Sequence, residues 1–162
     1  MPSWSRGTSL GDAGGGLVVW EVATQRSRLL RGAGEARGGF VAWSPRGDRV
    51  ALAGSGDVLL GDPERGTVEA IGFSAENALG IAFFGWTVAI AYPGVVRGYD
   101  VATHETWSRP IEALQLQVID GALAIATPDA VVTLPDTVPY DRAGFLAWLI
   151  TSDRARRPWN AK

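Results

Sequence analysis

The chain has no cysteine and a single histidine, His104, in 162 residues. Without cysteine, disulfides and thiolate metal sites are excluded. His104 has no second histidine with which to share a metal, so a turn residue is a better reading of it than a general base. No apolar run approaches the length that spans a membrane. The formal net charge is only −2, which leaves no electrostatic footprint for nucleic acid. No phosphate-cradling loop ending in lysine and serine or threonine occurs. Residues 1–16 lack the charged-then-apolar layout of a secretory signal, so a cytoplasmic protein is expected. No nucleophile–base pair, carboxylate pair or metal cluster stands out, so neither catalysis nor a cofactor is expected.

Glycine and proline are plentiful, 21 and 9 respectively, and they alternate with short apolar runs. That pattern reads as a turn-rich all-β chain rather than a disordered one. Residues 40–62 show it best. Phe40-Val41-Ala42-Trp43, Arg49-Val50-Ala51-Leu52-Ala53 and Val58-Leu59-Leu60 are three short strands. Ser44-Pro45-Arg46-Gly47-Asp48 and Gly54-Ser55-Gly56-Asp57 are the turns between them, built from residues that preset or tolerate the bend. Arg46-Gly47-Asp48 spells a cell-adhesion tripeptide, but it falls where a hairpin turn is needed.

The second strand recurs. Val50-Ala51-Leu52-Ala53 returns as Val88-Ala89-Ile90-Ala91 and as Leu123-Ala124-Ile125-Ala126, at offsets of 38 and 35 residues. Each copy leads through a turn to another apolar strand. The strand ends Trp20-Glu21, Gly61-Asp62, Tyr99-Asp100 and Leu134-Pro135 follow the same spacing. A period in this range means stacked supersecondary units, none able to bury its own face alone.

Ala42-Trp43-Ser44-Pro45-Arg46-Gly47 followed by Val50-Ala51-Leu52-Ala53-Gly54-Ser55 resembles the core of a Trp-Asp (WD) repeat β-propeller blade. Leu17 to Thr24 is similar to the end of a preceding blade. The resemblance covers roughly residues 10–135. It implies four-stranded antiparallel blades around a central axis and a rigid rim of loops for protein partners. No Gly-His pair precedes any blade, and the Trp-Asp pair survives only as Trp20-Glu21, Gly61-Asp62 and Tyr99-Asp100. The polar network of His, Ser, Asp and Trp that the family buries is therefore incomplete.

The expected fold is all-β, with three to four propeller-type blades and a short C-terminal helix. Residues 1–135 form the partial or minimal propeller, with blade units at about 17–31, 39–73, 79–109 and 114–134. Residues 136–162 hold a linker, an amphipathic helix over about 142–152 and a basic tail. Gly32 to Gly38 superficially resembles a dinucleotide loop, but a strand rather than a helix follows it, so it reads as an inter-blade link.

Asp57 and Asp129 occupy equivalent turns, and Tyr92 stands near the same place in the blade between. They are candidate partner-binding residues on one rim, although aspartate is also simply a good turn residue. Trp20, Trp43 and Trp86 read as core or inter-blade packing. Trp148 and Trp159, outside the repeats, are the other candidate partner-binding residues. A closed ring needs roughly four to eight blades. The expected role is thus a non-enzymatic protein-interaction or scaffold module that completes its ring by self-association or with a partner chain. The alternative is a ligand-binding, metal-binding or hydrolytic propeller that uses the rim-turn carboxylates.

Overall fold

The computed structural model describes residues 8–9, 17–21, 23–32 and 39–134. They form fourteen strands and, among these residues, no helix. The helix expected over 142–152, together with Trp148 and Trp159, lies outside the described residues.

The strands fall into four antiparallel units. The first holds β1 (Thr8–Ser9), β2 (Leu17–Glu21) and β3 (Arg26–Gly32). The second is complete: β4 (Phe40–Trp43), β5 (Val50–Ala53), β6 (Asp57–Asp62) and β7 (Thr67–Ser74). So is the third: β8 (Gly80–Phe84), β9 (Thr87–Tyr92), β10 (Val95–Asp100) and β11 (Thr106–Arg109). The fourth holds β12 (Gln115–Ile119), β13 (Ala122–Ala126) and β14 (Val131–Leu134). The outermost strands of the first two units also touch edge to edge. There β3 pairs β7 in parallel, Arg31 with Thr67 and Gly32 with Val68. The innermost strand β8 lies against β4 on one side and β12 on the other. The sheets therefore stack face to face in chain order, as blades do.

Strand alternation explains the stacking. In β5, Val50 and Leu52 face the first blade, where they join Leu17, Val19 and Leu30. Ala51 and Ala53 face the third blade and meet Phe83, Val88 and Ile90. In β9 the roles repeat: Val88 and Ile90 look back, while Ala89 and Ala91 look forward to Leu123 and Ile125. Each second strand thus presents large residues backward and small ones forward. One sheet's bulk fills the space its neighbour leaves, and both faces are buried.

Gly98 shows how tight this is. It lies under the Trp107 ring, and any Cβ added there would overlap that ring. A glycine in β10 is what lets Trp107 of β11 lie flat across the blade and stay buried.

Candidate interaction surfaces

The first strands of the complete blades start at one end of the stack and finish at the other. The turns joining first to second and third to fourth strands therefore gather at one end. Those joining second to third strands, and the links between blades, gather at the opposite end.

The first of these ends is a set of satisfied turns. The Ser44 hydroxyl donates to Asp48 Oδ1 at 2.8 Å and accepts the Asp48 and Arg49 backbone N–H groups. Gly47, at φ 73°, supplies the left-handed residue this turn needs. Arg46 of the adhesion-like tripeptide lies over the Trp86 ring at 4.3 Å, so the tripeptide serves the turn and the neighbouring blade. Asp62 Oδ1 accepts N–H groups from Glu64 and Arg65, and its other oxygen meets Arg49 at 3.2 Å. Asp100 accepts from Ala102 and Thr103 in the same way. These two aspartates end the third strands of their blades, and they hold the bend into the fourth strand. His104 is a turn residue at φ 62°, its Nδ1 2.5 Å from the Tyr99 hydroxyl. Burial, then the nearby Glu69 and Asp100 charges, raise the Tyr99 pKa.

Asp57, Tyr92 and Asp129 all lie at the opposite end, as the repeat placed them, but in different settings. Asp129 is exposed in its turn, and Asp57 is exposed as the first residue of β6, paired with Ser74. Tyr92 is half-buried, and its hydroxyl donates to the Ser74 carbonyl at 2.5 Å, tying the third blade to the second. The Arg97 guanidinium sits 5.5 Å from the Tyr92 ring. Burial raises the Tyr92 pKa, with Arg97 opposing it. Tyr92 is therefore a clasp between blades rather than a free binding group. Among the described residues, no group of three histidine, aspartate or glutamate side chains is placed to hold a metal ion.

Trp20 and Trp86, expected in core or inter-blade packing, are 41 % and 37 % exposed; Trp86 nonetheless packs between blades. Trp86 sits in the turn after β8, under Arg46. Trp20 occupies a position whose counterparts are defined by register. Tyr99 pairs Val88 and Leu134 pairs Leu123, and each is buried against the preceding blade. Trp20 is the matching residue of the first blade. The far side of the stack shows the same thing. Val58 pairs Ala53, Val96 pairs Ala91 and Val131 pairs Ala126. Val58 and Val96 are 0 % exposed, while Val131 is 66 % exposed. Both end faces of the stack thus show side chains that the inner blades bury. Among the described residues, the fourth blade has no strand beyond β14. Repeat counting could have found Val131, since it stands in the same apolar third strand as Val58 and Val96 and pairs the matching alanine of the second.

No family model matches the sequence, and no curated protein matches it. Solved structures do. The chain is similar to PorZ, an essential bacterial surface component of the type-IX secretion system of Porphyromonas gingivalis. There the TM-score is 0.54 at 18% identity, over 76% of this chain and 18% of that one. It is also similar to the hydrazine synthase of Kuenenia stuttgartiensis (TM-score 0.54, 15% identity, 79% of this chain and 42% of that one). A third match is BamB from Moraxella catarrhalis (TM-score 0.55, 17% identity, 83% of this chain and 45% of that one). At these identities the likeness shows the fold alone: the sheets are blades of a β-propeller. The chain spans less than half the length of each of these three structures.

Proposed function

We propose that the chain is a non-enzymatic protein-interaction module, a set of divergent Trp-Asp-type blades that works as part of a larger ring. One observation carries this reading: Val131 is two-thirds exposed where Val58 and Val96 are sealed by the next blade. An apolar face built to seat a blade is a docking face for polypeptide. A second copy is the simplest occupant. The forward face of the fourth blade offers Ile119 and Val131 beside the small or polar Ala124, Ala126, Gln117 and Thr133. The backward face of the first blade offers Val18, Trp20 and Leu29. In the second strands β5 and β9, small forward residues meet bulky residues of the next blade. Two head-to-tail contacts related by a two-fold axis would close a ring.

The absence of cysteine makes a clean test. Single-cysteine variants Val131→Cys, Val96→Cys and Asp129→Cys are labelled with a maleimide in the purified chain. Val131→Cys should react at least about tenfold more slowly than Asp129→Cys, approaching buried Val96→Cys. Equal rates at positions 131 and 129 would overturn the reading, because the face would then be open in solution.

A further inference from the structure

The end of the stack that carries Asp57, Tyr92 and Asp129 has a second feature. Leu79 immediately precedes β8 and Leu114 immediately precedes β12. Their N–H groups donate to the Ala91 and Ala126 carbonyls, both at 2.8 Å, so the two leucines hold one station in successive blades. They are 44 % and 62 % exposed, and Phe40, which opens β4, is 43 % exposed. Phe40 and Leu79 belong to blades flanked on both sides, so their exposure owes nothing to the ends of the stack. Neighbouring innermost strands lie side by side, which sets the three apolar residues in an arc.

The links behind the leucines repeat as well. Glu76-Asn77-Ala78-Leu79 and Glu112-Ala113-Leu114 each place an exposed glutamate, then an inward alanine, then the exposed leucine. Ala113 is buried and Ala78 packs on the core, so each link is pinned and its leucine is held outward. Asp57 and Asp129 stand exposed at this same end. Arg109 at the end of β11, and Arg97 beside it in β10, lie over the Trp107 and Tyr92 rings. Among the described residues, the exposed carboxylates at this end, Asp57, Glu76, Glu112 and Asp129, thus outnumber the two arginines.

We infer that this end of the stack docks a linear polypeptide segment in which apolar anchor residues alternate with lysine or arginine. Exposed leucines at a repeated, rigid station supply the anchoring area, and the carboxylates Asp57, Glu76, Glu112 and Asp129 select basic neighbours. The inference rests on the interaction-module reading but not on ring completion, since the arc and the end faces are different surfaces.

The test is selection of a random linear peptide library on the immobilised full chain, followed by affinity measurement of the enriched peptides. The expected consensus combines Leu, Ile, Phe or Met with Lys or Arg. Affinity should fall at least about tenfold in Leu79→Ser/Leu114→Ser. It should fall similarly in Glu76→Lys/Glu112→Lys, and salt should weaken it. Ile119→Ser, an exposed apolar residue at the opposite end, should leave affinity unchanged. No enrichment, a consensus without basic residues, or binding that survives the leucine pair or is lost equally in Ile119→Ser would each overturn the inference. Because the substituted leucines are exposed, these variants fold, which circular dichroism checks. Failure here leaves the labelling result at Val131 standing, so the two readings fail separately.

Discussion

Val96 and Val131 are the same residue at the same register position of two blades, and one is sealed while the other is exposed. Both valines stand near the start of a third strand and pair an alanine of the second. Two things differ. Val96 is flanked within its own blade by β11, where it pairs Arg109, and the fourth blade covers it; among the described residues neither a flanking fourth strand nor a further blade covers Val131. In a repeat stack a residue's energetic worth is set by its neighbour blade as much as by its own sheet. Substitutions in the inner blades therefore report stability, while the end faces are where the proposed assembly would act.

Substitutions should separate the two regions. Ile90 is buried between the second and third blades, so Ile90→Ala should cost about 2–5 kcal/mol in denaturant unfolding. A loss near zero would mean that blade contacts do not hold the stack. Gly98→Ala should cost about 1–3 kcal/mol, because the added methyl must displace the Trp107 ring. Near-UV circular dichroism should register that displacement. Tyr92→Phe removes the hydroxyl that bridges to Ser74 and should cost about 0.5–1.5 kcal/mol.

Tyr92 also predicts a pH effect. Burial raises its pKa above the ordinary 10.0, so the folded state holds the proton more tightly than the unfolded chain. Its contribution is whole below about pH 10 and declines as the pH climbs through the folded value. Tyr92→Phe should flatten that decline, and an unchanged profile would place it elsewhere. Smallest of all, Val131→Ala should change the stability of the dissociated chain by less than about 0.5 kcal/mol. The same change should weaken assembly.

Much of this architecture was legible in the sequence. Val50 to Ala53, Val88 to Ala91 and Leu123 to Ala126 announced themselves because a strand buried on both faces must be apolar throughout, and turn residues cut each run short. The alternation of bulk and alanine within those runs was visible too, but its meaning needed a neighbour. The rim carboxylates Asp57 and Asp129 were legible as turn residues. Tyr92 looked equivalent to them, yet its longer side chain reaches the Ser74 carbonyl of another blade, a contact that no within-blade pattern encodes. Trp20 and Trp86 read as core or inter-blade packing because tryptophan is usually buried; Trp86 does pack against Arg46 of the neighbouring blade, while Trp20 is largely exposed. Leu79 and Leu114 stood only at the bounds of their blade units in the sequence, and only the structure shows them exposed just outside the sheet. Exposure was the hidden quantity in each case, because it depends on which strand ends lie beside which links.

The central claim, that the stack completes itself through its end faces, is tested most directly by the solution mass of the purified chain. Light scattering behind a sizing column should give a discrete multiple of the single-chain 17.2 kDa. Val131→Asp, which sets a charge on the seating face, should return the mass to that of one chain. A well-folded wild-type chain of 17.2 kDa at every concentration would contradict self-completion.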